Sequence, residues 1–209
     1  MSRYTGPVCR LCRREGEKLF LKGVRCESPK CALQRKSYAP GAHGNKSSFS
    51  QKSEYAKQLR AKQKAKRIYN VNSENQFKKY YSMAILKPGV TGEILFETIE
   101  TRLDNVLYRA NFASSRAQGR QIANHGLIKL NGKRVSIPSI LVKIGDKIEV
   151  IKKTKENKLF ADLNKRKDIA PKWLKADLSK GTIDVIAMPT EKDIEQNIEG
   201  QLIVELYSK

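Results

Sequence analysis

The chain has 209 residues, enough for one generous domain or two small ones, and its 42 Lys and Arg against 21 Asp and Glu leave a net charge of +21. Self-repulsion on that scale destabilises a compact fold unless a polyanion neutralises it, nucleic acid being the usual one and anionic membrane its competitor. No run of about 18 apolar residues is present to span a bilayer, MSRYTGPVC lacks the apolar core of a signal peptide, and no myristoylation glycine or prenylation box is found, so no membrane attachment and a reducing, cytoplasmic setting are expected.

The charge is unevenly placed. Residues 1–70 hold 18 Lys and Arg against 4 Asp and Glu, a net +14. Residues 71–180 hold 22 against 11, a net +11, and residues 181–209 hold 2 against 6, a net −4. A uniformly solvated surface needs no such gradient. The first third suits phosphates, and the acid-rich end suits a protein neighbour.

All four cysteines fall within CRLCRREGEKLFLKGVRCESPKC, at Cys9, Cys12, Cys26 and Cys31. The spacing, C-x2-C, 13 residues, then C-x4-C, resembles a zinc ribbon or treble clef, where a tight turn lets two thiolates converge on one ion. Arg10, Arg13, Arg14 and Arg25 would offset the negative charge left on such a centre and lower the thiol pKa values. Structural zinc is the expected occupant. A four-iron iron–sulfur cluster also takes four cysteines, and disulfides or free thiols are the third reading, although a reducing compartment disfavours disulfides. A catalytic zinc keeps an open position, which four cysteines do not leave. Gly16 and Gly23 flank an apolar stretch and predict a small hairpin between the pairs. Residues 1–31 carry few large apolar side chains, so a metal would stand in for a core and let basic side chains face outward. The phosphate ligands expected there are Arg3, Arg10, Arg13, Arg14, Lys22 and Arg25.

After Arg35 and Lys36, two further candidates, Pro40, Gly41 and Gly44 mark an irregular loop. His43 beside these glycines reads either as a solvated loop residue or as an RNA contact, since glycine permits close approach; Lys46 follows it. Residues 53–69, SEYAKQLRAKQKAKRIY, lack Gly and Pro and predict a helix capped by Ser53. Tyr55, Leu59, Ile68 and Tyr69 give it a thin apolar face, and Lys57, Arg60, Lys62, Lys64, Lys66 and Arg67 coat the rest. Beyond Glu54 no acid stands at helical spacing to compensate them, so the run reads as facing phosphate. A second helix is predicted from Ser73, with Gln76 at capping-box spacing, burying Phe77, Tyr80, Tyr81 and Ile85.

Thr91 is the expected cap of a helix over 92–110, with Leu95, Ile99, Leu103, Val106 and Leu107 as its seam. Ser114 is expected to cap a short helix that Gly126 ends. A strand over 127–130, a hairpin turn at Asn131-Gly132, a return over 135–137, a turn at Gly145-Asp146 and a strand over 147–150 follow. Within 101–150, R-L-D-x-x-L, F-A-x-S-R-x-x-x-R-Q, H-G, N-G-K-x-V, P-S and G-D-x-I resemble the small RNA-binding module named after small-subunit ribosomal protein four. RYTGPVCRLCRREG, APGAHG, QLRAKQKAKRIY, RLDNVLYR and IVELYSK extend the resemblance over essentially the whole chain, to the bacterial, four-cysteine members of that ribosomal protein family. Two positions depart from the pattern. Asn111 stands where glycine is usual, and asparagine best tolerates left-handed backbone. Gly119 stands where alanine is frequent, at a cost of roughly 0.5–1 kcal/mol inside a helix.

The resemblance implies an RNA face of Arg116, Arg120, Gln121, Asn124 and His125 on the short helix, with Lys129, Lys133 and Arg134 on the hairpin. It implies binding to the five-prime domain of 16S rRNA and nucleation of small-subunit assembly. It further implies contact with mRNA where it enters the subunit, small-subunit ribosomal proteins five and three as neighbours, a share in translational accuracy, and repression of its own mRNA. The same module occurs in pseudouridine synthases and tyrosyl-tRNA synthetases, but the flanking sequence leaves no room for their catalytic domains, so no enzyme activity is expected. The expected fold class is α+β: a metal-bound N-terminal segment, a small helical domain, and an inserted module of two helices plus a small antiparallel sheet. The expected boundaries are 1–45 for the metal-binding basic segment, 46–92 with 197–209 for the basic helical domain, and 93–196 for the α+β domain, with the module at about 101–165. Beyond the module core, 152–168 predicts a charged helix, and 172–174, 182–186 and 202–206 predict strands.

Overall fold

The structure is a computed structural model that describes residues 4–45, 53–151, 170–195 and 197–208. The chain forms two compact units, Met1–Leu95 with Gln196–Lys209, and Phe96–Glu195. The charged helix expected over 152–168 lies outside the described residues.

The first unit opens with three short helices, α1 Cys9–Glu15, α2 Val24–Glu27 and α3 Ala32–Arg35. No hairpin joins the cysteine pairs among the described residues, contrary to expectation. Gly16, at φ +77°, closes α1 by donating its N–H to Cys12 O at 2.9 Å, and the chain runs without a ladder into α2. Leu19 is buried while Phe20 is exposed. One buried side chain is too little to hold an isolated two-stranded ribbon, which is marginal in water even with a good apolar face.

Helix α4, Glu54–Ile68, starts at Ser53, whose Oγ accepts from Ala56 N–H at 3.3 Å. Helix α5, Glu74–Ile85, starts at Ser73, whose Oγ accepts from Gln76 N–H at 3.5 Å. Gln76 does not reach back to complete the box; its Nε2 donates to Tyr80 Oη at 3.2 Å. Phe77, Tyr80 and Tyr81 are buried as expected, but Ile85 is 55% exposed because α5 ends at it. The strand expected over 202–206 is instead part of helix α9, Gly200–Tyr207. So short an apolar run fits either period. Packing against α4 decides for helix, with Ile203 buried and Tyr207 stacked on Tyr81 at 4.6 Å between centroids.

Tyr207 Oη, Lys62 Nζ and Lys66 Nζ all donate to Glu74, at 2.7, 2.8 and 2.6 Å. Burial works to raise the Glu74 carboxyl, and these three hydrogen bonds overcome it, bringing the carboxyl from an ordinary 4.5 down to about 2. A carboxylate depressed in the folded state contributes stability that is complete above about pH 4.5 and is lost as pH falls toward 2. Glu74→Gln is therefore expected to flatten the decline of the urea midpoint across that window, modestly, because the side chain is 45% exposed. Parallel declines in the two proteins would show that Glu74 does not carry the acid sensitivity.

The single helix expected over 92–110 is two helices, α6 Thr91–Glu100 and α7 Leu103–Arg109, and Thr91 is helical rather than a cap. Arg102 takes extended backbone, φ −67° and ψ 139°, and bridges to Leu141. Val142 N–H donates to Thr101 O at 2.9 Å and Leu103 N–H to Ile140 O at 2.8 Å, so the 140–142 segment supplies backbone partners that a continuous helix would forgo. The apolar seam survives the break because α7 presents Leu103, Val106 and Leu107 to the same kind of core.

Helix α8, Arg116–Asn124, is capped by Ser115, whose Oγ accepts from Gln118 N–H at 3.3 Å; the expected cap, Ser114, instead donates its N–H to Gln118 Oε1 at 2.5 Å. Gly126, at φ +61°, ends it. Among the described residues the sheet has five antiparallel strands, β1 Ile128–Leu130, β2 Lys133–Val135, β3 Lys147–Val150, β4 Leu174–Asp177 and β5 Thr182–Val185, in the order β2-β1-β3-β5-β4. Asn131 and Gly132, at φ +50° and +79°, make the turn with two positive φ values that a two-residue hairpin needs. The return strand comes two residues earlier than expected. Strand β4 begins at Leu174, where the expected strand ended, because Leu174 N–H closes a turn onto Pro171 O at 2.9 Å. Helices α7 and α8 pack on this sheet through Leu103, Leu107, Phe112, Ile122, Ile128 and Ile148. Asn111 is left-handed at φ +64°. A Cβ at Gly119 would lie 2.4 Å from Asp104 O, so the glycine that weakens α8 locally is what lets α8 approach α7 this closely. The outcome is an α+β fold with an antiparallel sheet in the second unit.

Candidate nucleic-acid interface

Helix α1 carries Cys9 and Cys12 one turn apart, α2 carries Cys26, and Cys31 precedes α3. Cys12 and Cys26 are each 9% exposed, and Cys9 and Cys31 are half-buried. Lys22 N–H donates to Cys26 Sγ at 3.3 Å. Burial pushes the Cys12 thiol up; a hydrogen bond from the Leu19 backbone opposes this, and charge on Cys26, Cys9 and Cys31 adds to it. The Cys12 sulfur therefore lies within electrostatic reach of each of the other three. All four are free, and among the described residues no group of three or more His, Cys, Asp or Glu side chains is drawn into metal-holding positions. As a donor set, four thiols with two of them buried and a backbone hydrogen bond on each of those two suit a soft or borderline metal better than solvent.

Around the cysteines, Arg10, Arg14, Lys22, Arg25, Arg35, Lys36 and His43 are exposed, as a phosphate-facing surface requires. Arg13 is half-buried: its Nε donates to Tyr38 O at 3.0 Å, and its guanidinium lies 4.8 Å from the Tyr38 ring centroid. It ties the glycine-rich loop to α1. Arg3 and Lys46 lie outside the described residues.

The basic coat of α4 is not the open surface expected of it. Glu15, with its side chain 5% exposed, sits between Arg60 and Arg67, at 3.4 Å from Arg60 and hydrogen-bonded to Arg67. Lys64 pairs with Glu17 at 2.7 Å, and Lys62 and Lys66 pair with Glu74. Lys57 pairs with Glu54 and stays half exposed. The compensating acids lie 8 to 52 positions away rather than at helical spacing, so a scan along α4 does not find them. These cations serve first to join α1 and α5 to α4.

Helix α8 divides into two faces. Gln121, Asn124 and His125 are exposed. Arg134, exposed on β2, donates Nε to Gly126 O at 2.8 Å and NH2 to His125 O at 3.3 Å, which brings the hairpin against the end of α8 and places a cation on its unsatisfied carbonyls. Lys133 is exposed beside it and Lys129 is half-buried on β1. These residues form one polar, cationic surface. Arg116 and Arg120, expected on the same face, are each only 7% exposed. Arg116 Nε donates to Asn105 Oδ1 at 2.6 Å and NH2 to Glu195 at 2.7 Å, with its guanidinium 4.5 Å from the Tyr108 ring centroid. Arg120 NH1 lies 3.6 Å from Asp104. Their spacing of one turn puts them on one face, but that face is turned to α7.

Four charged residues of α6, α7 and the break between them have no site role in the sequence reading: Glu100, Arg102, Asp104 and Arg109. Arg102, fully buried, donates Nε and NH2 to the two Asp104 oxygens at 3.0 and 2.6 Å. Arg109 grips the buried Glu100 with the same two atoms, at 3.0 and 2.6 Å. The signal was available: Arg102, Asp104 and Arg109 interrupt an apolar seam, where a charge must be paired.

Residues 3–100 match the family described as Ribosomal protein S4/S9 N-terminal domain, and residues 101–148 match the S4 domain. The chain is 51% identical over 211 residues to a protein of Halothermothrix orenii named small ribosomal subunit protein uS4, with both chains covered in full. Proteins of the same name from Acetivibrio thermocellus, 52% identical over 216 residues, and Clostridioides difficile, 51% over 212, are likewise covered in full.

Proposed function

The chain belongs to the small ribosomal subunit protein uS4 family, and on that footing we propose that it is a structural, non-enzymatic constituent of the small ribosomal subunit that binds ribosomal RNA in the cytoplasm. The observation that carries this reading is the full-length match together with a net charge of +21 and a cationic surface at α8 and the β1–β2 hairpin. No described helix is long and apolar enough to cross a membrane. The RNA is the five-prime domain of 16S rRNA, bound by shape and phosphates, since side chains do not enter the deep groove of A-form RNA. Early binding there nucleates subunit assembly. The acid-rich end meets small-subunit ribosomal protein five, ribosomal protein three and mRNA lie nearby where mRNA enters the subunit, and the chain contributes to translational accuracy and represses its own mRNA. Cys9, Cys12, Cys26 and Cys31 together hold one zinc or, alternatively, a four-iron cluster, which would cross-link α1, α2 and the start of α3.

The test is a mobility-shift titration on a five-prime-domain transcript at several salt concentrations. With roughly eight phosphates neutralised, log affinity is expected to fall against log salt with a slope of about −6 to −7, between the single-strand and duplex limits. A slope near zero would overturn the electrostatic account.

A further inference from the structure

Arg109 and Arg116 are held from behind by buried groups. Glu100, fully buried, takes both Nε and NH2 of Arg109, and Asn105, 1% exposed, takes Nε of Arg116. The Tyr108 ring supports the Arg116 guanidinium from one side. Glu195 Oε1 lies beside both guanidiniums: it accepts from Arg116 NH2 at 2.7 Å and lies within ion-pair distance, 3.5 Å, of Arg109 NH2. Glu195 arrives on a short segment after the 3-10 turn Glu191–Asp193, and its side chain is 29% exposed. Asp193 O also accepts from Arg109 NH2 at 2.8 Å.

An oxygen that accepts from one anchored guanidinium and has the charge of a second 3.5 Å away occupies a place that suits a phosphate oxygen, because both cations arrive already ordered. Glu100 balances Arg109 and Asn105 is neutral, so the Glu195 carboxylate is the anion drawn to the outward side. Its replacement by phosphate requires movement of a short surface segment and leaves the buried anchors intact.

We infer that Arg109 and Arg116 form a phosphate-binding cradle that the Glu195 carboxylate occupies in the free protein and that an RNA backbone phosphate takes over on binding. This rests on the reading that the chain binds ribosomal RNA. Glu195 thereby sets a threshold: RNA that cannot deliver a phosphate to this point gains nothing from the two arginines.

The experiment is a mobility-shift titration of the full chain on a five-prime-domain transcript at fixed salt. Glu195→Gln, which removes the competing charge, is expected to tighten binding by up to about fivefold, the upper end for a partly exposed ion pair. Glu191→Gln changes net charge equally but touches neither arginine, and its affinity is expected to stay within about twofold of the parent. Glu195→Asp keeps the charge while shortening the reach, so an intermediate gain is expected without any change in net charge. Trp173 fluorescence checks that each variant is folded. Equal affinities for Glu195→Gln and Glu191→Gln, or no gain with Glu195→Asp, would overturn the cradle. Failure of the parent chain to bind in a salt-dependent way would instead overturn the RNA-binding reading.

Discussion

Asp104→Ala is expected to cost the Phe96–Glu195 unit about 3–5 kcal/mol, the range for a buried ion pair stripped of one partner. Asp104 is 1% exposed and Arg102 fully buried, and the carboxylate receives both Nε and NH2 of that arginine. Arg120 NH1 lies 3.6 Å away as well. Alanine would leave cationic groups in an apolar surround that cannot rehydrate them. The energy lies in the removed partner and not in the net worth of the pair. Replacing Arg102 and Asp104 together, by Met and Leu, is therefore expected to cost far less than the single change. Urea denaturation followed at Trp173, the chain's one tryptophan and 2% exposed, reads this unit directly. A single-variant loss below about 1 kcal/mol would mean that Arg102 finds another carboxylate on relaxation.

With the four cysteines holding a metal as proposed, Cys26→Ser is expected to release it and leave residues 1–31 open to protease. The three helices there are 7, 4 and 4 residues long, too short to persist alone. Their described apolar content is small, with Cys12, Leu19 and Cys26 as the buried members. A structural zinc contributes on the order of 10 kcal/mol to such a module, more than anything else within it. Elemental analysis of protein purified without oxygen, with a visible spectrum to separate zinc from an iron–sulfur cluster, gives the occupant. Limited proteolysis gives the structural consequence. Stoichiometric metal in a variant lacking all four cysteines would refute the assignment.

Local chemistry was legible without coordinates. Ser53 and Ser73 cap α4 and α5 because a hydroxyl one residue before a helix meets its orphan N–H groups whatever lies around it. Asn131-Gly132 turns the hairpin and Asn111 goes left-handed because those preferences belong to the residues themselves. The net charge, the cysteine spacing and the α+β class are likewise properties of composition and order. One-residue errors, such as Ser114 for Ser115, came from two adjacent residues with equal capping power.

What the tertiary structure alone decided depends on partners remote in the chain. The helix expected over 92–110 breaks at Arg102 because residues 140–142 offer its backbone a ladder. Residues 202–206 become helix because α4 supplies a face to bury them. The α4 cations are spoken for by Glu15, Glu17 and Glu74, and Arg116 by Glu195, 79 positions away. Sequence shows that a charge exists and which face of its helix carries it. Whether that charge meets solvent, phosphate or a carboxylate is set by which distant element the fold brings within ion-pair distance, about 4 Å.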